Sequence, residues 1–145
     1  MDGLLRMYVN VFLCNVGHED CISAATTAFA NWRNNGAFIP ANMRPWVYCN
    51  GLRYGTAADF EFFWSRYLAE DLASEQVVML EAAGCTRDEA SLQLYWNAIT
   101  GGDSDYTIRP QDQATAISSA ITSNEDNTMI AFNWLRLNVE RTTAA

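Results

Sequence analysis

The chain has 145 residues and a formal net charge of −8; arginine supplies all nine basic groups, with no lysine, one histidine (His18) and four cysteines. These counts exclude a G-x-x-x-x-G-K-[ST] phosphate loop and lysine Schiff-base chemistry, which both need lysine, and a zinc site built on two or three histidines. The acidic balance argues against a nucleic-acid partner, because displacing counterions from a phosphate backbone takes a basic face.

The length fits one domain, and a chain that is 50% hydrophobic and 18% charged is globular in composition. Met1–Arg6 does not read as an export signal, since no basic leader precedes the apolar stretch and Arg6 interrupts it. No apolar run approaches the ~20 residues that cross a bilayer. Helical periodicity predicts eight helices, at about 3–16, 20–34, 42–54, 57–70, 74–84, 87–100, 110–122 and 126–140. The first two flank a polar loop at His18. Pro40 and Pro45 stand at the entry to the third, where a missing N–H costs little. Gly55 closes the third helix. Thr56 and Asp59 then form a capping-box-like start to the fourth, whose apolar stripe is Phe60, Phe63, Trp64, Tyr67 and Leu68. Gly84 closes the fifth. Thr86 and Glu89 give a stricter capping box ahead of Leu92, Tyr95, Trp96 and Ile99, and Gly101-Gly102 ends that helix. An acidic, glycine-rich loop leads to Ile108, and Pro110 opens the next helix. No window alternates strictly, so the fold class expected is all-α. Short connections make successive helices antiparallel. Helix pairs begin at intervals of roughly 32 to 36 residues, the spacing of HEAT or armadillo hairpins that stack into a superhelix.

Most chemistry-bearing patterns in the chain are incomplete. His18-Glu19 begins H-E-x-x-H, but Ile22 stands where the second imidazole would be, so the segment reads as a polar loop. Asp103-Ser104-Asp105 begins a calcium loop that lacks its central glycine and closing glutamate. No serine lies in G-x-S-x-G. Arg109-Pro110-Gln111-Asp112 reads as a helix start, with Asp112 in the dipole-favoured first turn and Arg109 able to pair with it or to reach a ligand carboxylate. The cysteines form no C-x-x-C; their even number allows two disulfides or buried thiols.

Five segments in register, IPANMRPWVYCNGLRYG (39–55), DFEFFWSRYL (59–68), ASEQVVMLEAAGC (73–85), IRPQD (108–112) and AISSAITSN with AFNWLRLN (116–138), resemble the C-terminal helical domain of the zinc aminopeptidase family that includes aminopeptidase N and the endoplasmic-reticulum aminopeptidases. The resemblance implies a HEAT-like superhelix that closes over a catalytic domain and walls the cavity where peptides enter. The family's zinc-binding H-E-x-x-H and substrate-amine-binding G-x-M-E-N belong to an upstream domain, and neither occurs in this sequence. The chain is therefore expected to be one partial domain, 1–145, without catalytic residues or a metal or cofactor of its own; zinc would sit in the parent. The implied partners are the parent's catalytic domain, peptides reached through it, and a second copy, as in relatives that dimerise. The implied setting is extracellular or at the cell surface, with disulfides Cys14–Cys21 and Cys49–Cys85. Arg109, Gln111 and Asp112 fall at a characteristic helix start that is either cavity-lining or structural. The alternative expectation is a stand-alone helical-solenoid interaction module without peptidase activity.

Overall fold

Glu19–Asn35 forms the first helix of the structure, a computed structural model that describes residues 17–100 and 108–137. This helix, α1, carries Glu19 and Asp20 in its first turn and Arg33 in its last, the arrangement its dipole favours. It ends at Gly36, whose φ of 66° is a left-handed conformation that glycine adopts without a Cβ penalty. The Gly36 N–H donates to Trp32 O and the Ala37 N–H to Asn31 O, closing the helix end. A 3-10 turn, Ala41–Met43, leads into α2 (Arg44–Arg53), with Pro45 in its first turn.

α3 (Ala57–Ala69) starts with the expected reciprocal box: the Asp59 N–H donates to Thr56 Oγ1, and the Thr56 N–H donates to Asp59 Oδ2. It buries Phe60, Phe63, Trp64 and Tyr67, but Leu68 is 42% exposed. At 3.6 residues per turn, Leu68 lies about 80° around the helix from Phe60, at the margin of the stripe. α4 spans Ala73–Ala83 and α5 spans Glu89–Thr100. The start of α5 differs from expectation. Asp88, not Thr86, caps it: Asp88 Oδ2 accepts the Ser91 N–H at 2.9 Å and the Ser91 hydroxyl at 2.7 Å. Thr86 is buried and accepts the Asp88 N–H instead. A second 3-10 turn, Pro110–Asp112, runs into α6 (Gln113–Thr122), and α7 covers Glu125–Leu137. The expected helix at 3–16 and the Gly101-Gly102 stop lie outside the described residues.

The described residues contain seven α-helices and no strand, so the fold is all-α. Helices pack both on their chain neighbours and on their next-but-one neighbours. α1 lies on α2; α2, α4 and α6 sit side by side; α7 covers α6; and α3 lies against α5. The core between these rows is aromatic. Trp96, Tyr95, Phe60 and Phe63 are fully buried with Leu52, Leu80 and Leu92. Trp64 stacks on Tyr67 with centroids 4.7 Å apart and meets Tyr95 edge-on at 5.7 Å.

The turn after α4 is held from several sides. Gly84 has an ordinary right-handed φ of −69°, so it is not a left-handed stop. Its lack of a side chain matters for packing, because a Cβ there would stand 2.3 Å from the Ser119 carbonyl oxygen of α6. The Gly84 N–H donates to Ser119 Oγ, which itself donates to Glu81 O. Asn127 Nδ2 donates to the carbonyls of Gly84 at 3.1 Å and Thr86 at 2.7 Å, and Asn124 Nδ2 donates to Cys85 O. Buried carbonyls left over at a helix end are thus satisfied by two asparagines at the start of α7.

Candidate functional site

Three places are candidates; the first and third hold residues that the sequence singled out. The first is the corner before α6. Pro110 fixes the backbone of the 3-10 turn, and the Arg109 side chain folds back over it. Arg109 Nε and Nη2 donate to Asp112 Oδ2 at 2.8 and 2.6 Å, and Asp112 is only 5% exposed. The guanidinium is thereby committed to an internal carboxylate. Gln111 is exposed beside it, and Gln113 Nε2 ties the corner to Ile99 O at the end of α5. Burial, and after it the Asp112 charge, push the Tyr67 phenol above its usual range. At this corner Asp112 and Arg109 pair with each other across one turn.

The second place is a cleft of about 370 Å³ between the 36–40 loop, α2 and α4. Trp32, Tyr48 and Met79 form its floor; Phe38 and Leu72 rim it, 80% and 65% exposed. Arg44 crosses it, donating from Nη1 to Glu75 Oε2 at 3.0 Å and from Nε to Ile39 O at 2.9 Å, with its guanidinium 5.6 Å from the Phe38 ring centroid. The other oxygen of Glu75 is buried with no hydrogen-bond partner among the described residues. Desolvation, then the Glu75 charge, raise the Tyr48 phenol. The cleft offers an apolar floor beside charged groups, which suits holding a side chain or peptide segment. It brings together no nucleophile with a base. The sequence did not signal this cleft, because Arg44 and Glu75 stand 31 residues apart and no local pattern links them.

The third is the cysteine set. Cys49 of α2 is bridged to Cys85 in the turn after α4. Cys21 is disulfide-bonded as well, and no free cysteine occurs among the described residues. Cys14, the partner implied for Cys21, lies outside the described residues, as do Asp103, Ser104 and Asp105. His18 is exposed just before α1 and makes no side-chain cap. No three histidine, cysteine or acidic side chains converge among the described residues.

A sequence model described as the ERAP1-like C-terminal domain matches residues 1–145. The chain is similar to membrane alanyl aminopeptidase of Manduca sexta, 63% identical over 97% of the chain and 14% of that protein. It is 35% identical to aminopeptidase N of Plutella xylostella over 84% of the chain and 13% of that protein. Aminopeptidase N of Bos taurus is 30% identical over 86% of the chain. The chain therefore spans about one-seventh of the length of the curated relatives it matches.

Proposed function

Because the chain belongs to the family of ERAP1-like C-terminal domains, we propose that it is a non-catalytic partial domain of a membrane or secreted zinc aminopeptidase, capping and lining the cavity through which peptides reach the catalytic domain. The observation that carries this reading is the whole-length family match joined to the sequence's lack of H-E-x-x-H. In it the helix pairs stack as a HEAT-like superhelix, and the next-but-one packing of α2, α4 and α6 supports that geometry. The contribution to the parent is steric and electrostatic: helices keep folded proteins out, and an acidic wall favours cationic amines. Zinc, the peptides and the hydrolysis all belong to the parent's catalytic domain. An extracellular or cell-surface setting suits the Cys49–Cys85 bridge, because disulfides persist in oxidising compartments.

The test is direct. The full 145-residue chain should not hydrolyse amino-acid anilides with or without added zinc, and should restore or alter the cavity-dependent selectivity of a parent enzyme from which the matching segment has been removed. Turnover by the chain alone that a chelator abolishes would end the reading. One observation favours a second reading, a stand-alone interaction module: Phe38 and Leu72 stand exposed together at the rim of the cleft. An upstream reading frame encoding H-E-x-x-H decides for the first reading, and an in-frame stop there decides for the second.

A further inference from the structure

The cleft between the 36–40 loop, α2 and α4 holds polar groups that the fold leaves unmatched. Glu75 gives Oε2 to Arg44, but its Oε1 is buried and accepts no hydrogen bond. The Glu75 side chain is partly exposed where it lines the cleft, so Oε1 lies just beneath the cleft surface. A carboxylate oxygen withdrawn from water without a donor is costly, and a ligand that brings an N–H removes the cost. Arg66 of α3 lines the same cleft. It is exposed and makes no hydrogen bond or ion pair among the described residues. Glu70, one helical turn on, is not its partner: Glu70 Oε1 accepts the Leu72 N–H at the head of α4. The Tyr48 hydroxyl also makes no hydrogen bond among the described residues. Burial first, then Glu75, Arg44, Glu70 and Arg66 in that order, set its acidity, so the four charges lie around one hydroxyl.

Two cations against two carboxylates leave the cleft neutral, which favours a ligand of no net charge with two charged ends. Between those ends the floor is apolar, with Trp32 and Met79 below and Leu72 exposed at the rim. The volume of about 370 Å³ falls in the ~300–1,000 Å³ range of small-molecule sites. We propose that this cleft binds a free α-amino acid with an apolar side chain: its ammonium donates to Glu75 Oε1 and the Tyr48 hydroxyl, Arg66 holds its carboxylate, and its side chain lies on Trp32 and Met79. Arg44 positions Glu75 through the Oε2 bond and is itself held by Ile39 O. An amine without a carboxylate leaves Arg66 unmatched, and an acid without an amine leaves Glu75 Oε1 unmatched. The inference rests on the cleft's own side chains and does not depend on the peptide-cavity reading of the domain.

Calorimetric titration of the full 145-residue chain with L-leucine is the test. L-leucinamide and 4-methylpentanoate form parallel arms, at matched ionic strength and a mildly acidic pH that keeps amines protonated and carboxylates ionised. The first analogue keeps only the ammonium and the second only the carboxylate. The Trp32 indole resonance in a ¹⁵N correlation spectrum locates the ligand. Leucine should give saturable heat and shift Trp32, and each analogue should bind roughly tenfold more weakly, the scale of losing one charge-assisted contact. Arg66→Gln, whose wild-type side chain is exposed and unpaired, should keep its far-UV spectrum, weaken leucine by the same factor and leave leucinamide unchanged. Glu75→Gln should do the converse, weakening leucinamide and leaving 4-methylpentanoate unchanged. No saturable heat with leucine, an unmoved Trp32 resonance, an analogue that binds as tightly as leucine, or unchanged leucine affinity in Arg66→Gln overturns the proposal.

Discussion

Replacing Gly84 with alanine tests whether the packing of α4 on α6 sets the identity of that residue. Its φ of −69° and ψ of −8° suit any residue, so backbone preference alone makes alanine stabilising by about 0.5–1 kcal/mol. Packing opposes this. The new Cβ would stand 2.3 Å from Ser119 O and 2.4 Å from Ser119 C, more than an ångström inside ordinary van der Waals contact. Those atoms are backbone in the middle of α6, so a rotamer change cannot clear the space. α6 must move, at an overpacking cost of about 1–3 kcal/mol, and the hydrogen bond from the Gly84 N–H to Ser119 Oγ weakens, adding about 1 kcal/mol. The expected net loss is about 1–3.5 kcal/mol, or a Tm lowered by roughly 3–12 °C for a chain of this size. Urea unfolding followed by far-UV circular dichroism measures it. Adding Ser119→Ala removes Ser119 Oγ, which would stand 2.4 Å from the new Cβ, but should not rescue the variant, since the main-chain O and C of residue 119 still block it. Gly84→Ala as stable as the wild type, or rescue by Ser119→Ala, would refute the reasoning.

Removing the Cys49–Cys85 bridge, which closes a 36-residue separation, should cost about 4 kcal/mol by the chain-entropy estimate; an unchanged urea midpoint in the Cys49→Ser, Cys85→Ser double variant counts against a constraining role. Asp88→Ala should lose about 1 kcal/mol as a lost helix cap, whereas Glu89→Ala should be close to neutral; the reverse order in denaturant midpoints restores the Thr86 capping box. Burial raises the phenols of Tyr48, Tyr67 and Tyr95, so the folded state holds those protons more tightly than the unfolded state. Stability is therefore fully present below the unfolded tyrosine pKa of about 10 and falls as the pH rises beyond it. Absorbance at the tyrosinate band should rise for these three residues together with unfolding, and early titration of all tyrosines in a still-helical chain contradicts this. Tyr95→Phe leaves the Leu80 carbonyl without its 2.8 Å donor and should destabilise by about 1–2 kcal/mol, measured by calorimetry.

Helices were legible in the sequence because their signals are local. The Thr56–Asp59 box and the stripe Phe60, Phe63, Trp64, Tyr67 depend only on residues within two turns of each other, and both are present in α3. Where a local rule had two solutions, tertiary contacts chose between them. Thr86 is drawn into the junction, its carbonyl taken by Asn127, and the cap passes to Asp88. Gly84 looked like a helix stop, but its function is defined by an atom 35 residues away. At the candidate sites, the Arg109–Asp112 pair was readable because it spans one turn. The Arg44–Glu75 bridge and the exposed rim of Phe38 and Leu72 were not, because each joins residues more than thirty positions apart. The pairing of Cys49 with Cys85 followed from family resemblance, since four cysteines allow three pairings.

The turn from Gly84 to Thr86 also bears on how the molecule opens. In a stacked-hairpin array each unit contacts only its neighbours, so an end can fray while the remainder stays folded. Here a single three-residue turn is bonded covalently to α2 and by hydrogen bonds to α6 and to both asparagines at the head of α7. Detaching α7 exposes three buried carbonyls at once, so its loss is coupled to the α2–α4 layer. Amide exchange at Asn127, Cys85 and Leu52 should then converge on one opening free energy, making α2, α4, α6 and α7 a cooperative unit in which the last helix lives as long as the core.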